Sequence, residues 1–163
     1  MRKQMFGICL IAGLLVSVSS APIVAARAQG AMKDMKAMKE KSLYDRLGKK
    51  KAIAAVVDEF VSRVAADNRI NKFFGATAGD PARLKTFKGN LVDQICEASG
   101  GPCKYKGKDM KTAHMGMGVS GADFTALVED LSGALDKFMV GAHEKDQLLG
   151  ALAPMKTQIV EKP

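Results

Sequence analysis

The chain has 163 residues, a formal charge of +8, no tryptophan, two tyrosines, two histidines and three cysteines. Its length suits one domain. The positive excess comes from a run at 49–51 and from scattered lysines, without the clustered basic face and stacking side chains that nucleic-acid binding needs, so that class is set aside.

Residues 1–28 read MRKQMFGICLIAGLLVSVSSAPIVAARA. A basic start, an apolar run and a small-x-small end are the layout of a secretory signal peptide. Ser17, Ser19, Ser20 and Pro22 interrupt the apolar run, which argues against a spanning anchor. The expectation is a periplasmic or secreted protein with no membrane attachment once the signal is removed. Cys96 and Cys103 then remain. An even pair in an oxidising compartment favours a disulfide, worth about 2–3 kcal/mol. Two buried free thiols are the alternative, because geometry decides and spacing does not.

Residues 29–41, QGAMKDMKAMKEK, read as a flexible linker. Its Met32, Met35 and Met38 are soft thioether ligands. Together with Met115 and Met117 they define a competing reading, a copper(I)-binding or chaperone protein.

From Ser42 onward the pattern is helical. Ser42 with Asp45 caps a short helix in SLYDRLG, which Gly48 ends. Ile53, Val56, Val57, Phe60, Val61 and Val64 recur at helical spacing and predict a helix over about 51–66. A turn-rich connector carries Phe73 and Phe74. Asp80 and Pro81 then open a helix with the stripe Leu84, Phe87, Leu91 and Ile95, ended by SGGP at 99–102. Residues 103–119 predict a loop with one or two helical turns near His114. Ser120 and Asp123 cap the next helix, whose face is Phe124, Leu127, Val128, Leu131, Leu135 and Phe138. The last helix carries Leu148, Leu149, Leu152, Met155 and Ile159, with a kink at Pro154. No segment alternates with a period of two, so the fold class is all-α.

His114 stands in KDMKTAHMGMGVSGADF, beside glycines that free its backbone from long helices. A lone histidine is by default a hydrogen-bonded structural residue. Here Phe60, Phe73, Phe74, Phe87, Phe124 and Met110 offer a lining for a flat apolar ligand, and a neutral imidazole nitrogen suits iron. Zinc would draw on Cys96, Cys103 and His114, but no short ligand pair supports it. There is no Cys-x-x-Cys-His motif for covalent haem, no nucleophile triad and no nucleotide loop.

The order of several segments resembles a group I truncated haemoglobin. They are SLYDRLG (42–48), IAAVVDEFVSRVAAD (53–67), FF (73–74), GGP (100–102), YKGKDMKTAH (105–114), MGV (117–119) and LLGALAPMKTQIV (148–160). QIC (94–96) and GGPC (100–103) resemble an exported branch of that family. The resemblance implies a two-over-two helical sandwich, noncovalent haem b and reversible binding of oxygen or nitric oxide. It implies His114 as the proximal iron ligand, with Phe60, Phe74, Met110 and Val119 touching the haem. Val61, Phe73, Phe87, Leu91, Ile95 and Phe124 complete the candidate contacts. It leaves nitric oxide dioxygenase or peroxidase-like activity, and the identity of a reductase, open.

Three departures from the family pattern stand out. Val61 occupies the position where a tyrosine is common, and Phe87 and Leu91 fall where a polar distal partner is common. The expectation is an apolar distal side, with Asn90 and Gln94 as polar candidates in a shifted register. Lys49 replaces the second glycine after Gly48. Lys88 and Arg83 are candidate partners of haem propionates, and His143 is expected on the surface at the start of the last helix.

Overall fold

The computed structural model describes residues 41–162. The expected signal peptide and nearly all of the linker, with Met32, Met35 and Met38, lie outside the described residues.

Helix α1 (Leu43–Arg46) starts where Ser42 Oγ accepts from the Asp45 amide at 3.1 Å. Helix α2 (Lys49–Ala66) buries Ile53, Val56, Val57, Phe60 and Val64, the stripe its periodicity predicts. A 3₁₀ turn (Asn71–Phe73) and a single-turn α3 (Gly75–Ala78) fill the connector. Helix α4 (Pro81–Ala98) opens on Asp80, whose carboxylate accepts from the amides of Ala82 and Arg83. The short α5 (Met110–His114) follows a loop. Helix α6 (Gly121–Lys137) begins with a full capping box between Ser120 and Asp123. Helix α7 (Ala142–Leu152) gives way at Pro154 to a 3₁₀ turn (Ala153–Met155) and then to α8 (Lys156–Ile159).

Helix α2 packs against both α4 and α6, and α4 packs against α7. Two antiparallel helical pairs thus stack on one core of Val57, Ile70, Cys96, Ala134, Leu135 and Leu148. An isolated bridge between Ser120 and Lys162 is the β-type pairing among the described residues. No helix among them is long and apolar enough to cross a membrane.

The end of α4 is tightly built. Cys96 and Cys103 are joined, with Cα atoms 5.7 Å apart. A side chain at Gly101 would place its Cβ 2.6 Å from Cys96 Sγ and 2.6 Å from Tyr44 Cδ2. Only glycine lets the backbone pass this close to the bridge and α1, which accounts for the GGP motif physically.

Lys49 settles the question left by its missing glycine: it adopts φ 65° directly after Gly48 at φ 86°. A left-handed conformation costs a non-glycine residue about 1–2 kcal/mol. Lys49→Gly is therefore expected to stabilise the fold by about 0.5–1 kcal/mol, after the larger entropy of glycine in the unfolded chain is deducted. A higher urea midpoint at unchanged slope checks it; a lower midpoint refutes the strain.

Candidate functional site

Helix α5 exists to present one side chain. Asp109 caps it, accepting from the Thr112 amide at 2.9 Å. This bond, first among its causes, holds the Asp109 carboxyl below its ordinary pKa. One turn later the Met110 carbonyl lies 2.8 Å from His114 Nδ1. A carbonyl can only accept, so Nδ1 carries a proton, and in the neutral ring Nε2 then keeps its lone pair. That tautomer is the one a metal needs, and the bond to the carbonyl fixes the ring plane. The helix stops at once, through Met115, Gly116 (φ 79°) and Gly118 (φ 67°). His114 itself is half-buried.

An apolar pocket lies among α2, α3 and α4. Phe60, Val61, Phe74, Leu84 and Phe87 line it, and Thr77 adds only apolar surface. The rings of Phe74 and Phe87 meet at 5.7 Å and 55°, a tilted packing that stiffens the wall. From Phe87 the face of α4 continues through Leu91 to Gln94. The Gln94 amide reaches Met155 Sδ at 3.0 Å and Met110 Sδ at 3.6 Å. The α4 face therefore runs from the phenylalanine pocket to the helix that bears His114.

The other candidates are distributed around this line. Val119 is buried just past the histidine turn. Phe124, at the start of α6, lies under Lys156 Nζ at 5.8 Å. Phe73 packs against the core with Lys72 Nζ 4.8 Å over its ring. Ile95 sits on the core face of α4 with Val92 and Cys96, and shares a small cavity with Leu47, Val56 and Leu135. The single α4 stripe read from the sequence is thus two faces, one on the pocket and one on the core. Lys88 pairs with Asp58 at 2.9 Å and Arg83 with Asp80 at 3.4 Å, so both cations already have acids. His143 is exposed at the start of α7.

Thr77 and Met155 were not among the sequence-derived candidates. Gln94, named there as a polar candidate in a shifted register, continues the Phe87 and Leu91 spacing by one further turn. Thr77 sits in a connector with no periodicity, and Met155 meets Gln94 across 61 positions, so neither had a sequence signal.

The donor set is one imidazole on α5, and the apolar pocket is linked to that helix along the α4 face through Gln94 and Met110. With Cys96 and Cys103 joined to each other, the three-ligand zinc set is gone. Among the described residues no group of three His, Cys, Asp or Glu side chains could hold a metal ion. One nitrogen donor and a phenylalanine wall fit an iron porphyrin, whose own ring nitrogens would supply the metal's other ligands.

Comparison with known proteins decides the family. Residues 42–161 match the model of the bacterial-like globins. The group 1 truncated hemoglobin GlbN of Mycolicibacterium paratuberculosis is 35% identical over 118 residues, covering 72% of this chain and 83% of that protein. The chain belongs to the group I truncated haemoglobins. The group 1 truncated hemoglobin of Tetrahymena pyriformis is 34% identical over 102 residues, 63% of this chain and 80% of that protein. The crystal structure of the truncated hemoglobin of that organism in its Fe(III) form superposes with a TM-score of 0.67 at 27% identity, over 74% of this chain and 98% of the other. The all-α sandwich of this truncated haemoglobin is therefore the fold of its relatives.

Proposed function

We propose that this truncated haemoglobin holds one noncovalent haem b through His114 and reversibly binds oxygen or nitric oxide outside the cytoplasm. Membership of the family makes it a haem-binding, gas-binding globin. One observation carries the residue assignment: the Met110 carbonyl accepts a hydrogen bond from Nδ1 of His114, which in the neutral ring leaves the Nε2 lone pair for a metal. Bound haem supplies an iron atom with one coordination position open to a small gas.

The protein's own work is to orient and to exclude. His114 would bind the metal from one side. Phe60, Phe74 and Phe87 would keep water from the ring, and Met110, Val119, Leu91, Phe73 and Phe124 would flank it. Val61 and Phe87 place no donor in the pocket, and Gln94 is engaged by two sulfurs. A gas that gains partial negative charge on binding would therefore find little hydrogen bonding, which favours rapid release.

Export draws support from the Cys96–Cys103 bridge, because disulfides persist in oxidising compartments. A mature N-terminus at Gln29 in the periplasmic or secreted fraction is the check; a chain that keeps residues 1–28 in the cytoplasm refutes it. The copper(I) alternative gains nothing from the family match. Steady nitric oxide consumption with a reductase present would mark an enzyme, and a single stoichiometric reaction a binder.

The central test is a visible spectrum of the purified chain, oxidised, reduced and under carbon monoxide, with the pyridine haemochrome to identify haem b. A sharp Soret band is the expected result. A preparation that stays colourless after mixing with haemin overturns the reading.

A further inference from the structure

We infer that Glu161 is a positioning residue for His114: its carboxylate latches the glycine turn that follows the imidazole. The functional consequence rests on the haem reading above, while the latch itself rests on geometry alone.

Glu161 Oε1 accepts from the Gly116 amide at 2.7 Å, and Oε2 accepts from the Gly118 amide at 2.6 Å. Both glycines sit at positive φ, which turns their two N–H groups toward the same side. The alternation makes a small concave nest for an anion. Hydrogen bonds to an ionised acceptor are about twice as strong as neutral ones. The Glu161 and Lys162 amides in turn donate to the Val119 carbonyl at 2.8 and 3.1 Å. The tail and the turn are thus joined through both side chain and backbone.

The turn has little else to hold it. Helix α5 is five residues long, too short to be stable by itself; it packs on α8, and the segments on either side set how His114 is presented. Upstream, Asp109 and the Met110 carbonyl do so. Downstream, Val119 is buried and Ser120 is locked by its capping box. Between them lie Met115, Gly116, Met117 and Gly118. Met115 is 71% exposed, and the side chain that lies against the turn is Lys162, over Gly118. Two glycines give this stretch wide conformational freedom once unpinned. Besides the Met117 amide, which returns to the His114 carbonyl at 3.0 Å, the backbone of the turn is held by the two Glu161 bonds.

A turn that wanders lets the imidazole wander. The latch therefore predicts a histidine whose distance and tilt to the metal are narrowly set, and haem that leaves slowly. The competing account is that the bonds serve the tail, pinning residues 156–162 without bearing on His114.

The full chain carrying Glu161→Ala or Glu161→Gln separates the two. Glutamine keeps one acceptor oxygen and should lose about half the effect, and far-UV circular dichroism checks that both variants fold. In the apoprotein, Glu161→Ala should speed hydrogen exchange at Gly116 and Gly118 at least tenfold. In the haem-loaded protein it should quicken haem transfer to apomyoglobin about fivefold, and broaden or shift the iron–imidazole stretch in the resonance Raman spectrum of the ferrous form. Unchanged exchange at 116–118, or loosening confined to 156–162, overturns the latch. Unchanged haem transfer and an unchanged Raman band in a chain whose turn does loosen overturns the positioning role. The apoprotein exchange needs no haem, so failure of the haem reading and failure of the latch give different results.

Discussion

His114→Gly is expected to leave the purified chain without a Soret band, while wild type shows a sharp one. The other histidine, His143, is exposed at the start of α7, on a different element from α5, and serves as the control for a second imidazole. Loss of a partner that merely orients a metal ligand costs about 10–100-fold in affinity. Loss of the ligand itself should exceed a hundredfold, about 2.7 kcal/mol or more on the usual conversion. Glycine leaves a space the size of the side chain, and free imidazole at millimolar concentration should enter it and restore the band. Thermal stability should move in parallel, because a ligand that binds only the native state raises the melting temperature by mass action. Wild type with haem should melt higher than wild type without it, and the variant should match the latter. His143→Ala should change neither measurement. A variant that keeps its spectrum would show that another group carries the iron, and the assignment of His114 would fall.

What the sequence discloses here is whatever is encoded within a turn or two of chain. Asp80 before Pro81, and Ser120 three residues before Asp123, announce helix starts because a cap and its amides are neighbours. The brevity of α5 follows from the glycines on either side of it. His114 was legible as a candidate because a scarce, reactive side chain stood in that irregular segment. Long-range facts were not legible. Nothing near Gln94 says that Met155 closes on it after the break at Pro154, because that contact exists only once α4 and the last helical segment have packed. Lys88 looks free in a linear reading, yet Asp58 on α2 claims it from thirty positions away. The α4 stripe read as one face because Phe87, Leu91 and Ile95 share a spacing of four. Over that many residues the helix rotates, and Ile95 ends in the core. Glu161 is the extreme case: a single carboxylate near the chain end, in no motif, takes its meaning from two amides more than forty positions away.

Val61→Tyr should slow oxygen dissociation from the ferrous protein by about tenfold to a hundredfold. Val61 lines the apolar pocket beside Phe60 and Phe87, and Thr77 turns no polar atom into it. A phenol at position 61 would bring an O–H donor into a space that now offers carbon. A hydrogen bond to a charge-bearing partner is worth about 1.5–3 kcal/mol, and each 1.4 kcal/mol is a factor of ten, which sets the size of the effect. Carbon monoxide gains little charge on binding, so its dissociation should change only a few-fold. That difference separates hydrogen bonding from simple crowding, which would alter both gases alike. Crowding has a signature of its own: an overfilled core costs about 1–3 kcal/mol, visible in urea unfolding of the apoprotein. Thr77→Val removes a hydroxyl that does not face the pocket and should leave oxygen dissociation within about a factor of two. The wild-type rate is the decisive number. If oxygen already leaves as slowly from the native protein as from the tyrosine variant, a donor must already face the gas, and the apolar pocket drawn by Val61, Phe60 and Phe87 is not where the gas sits.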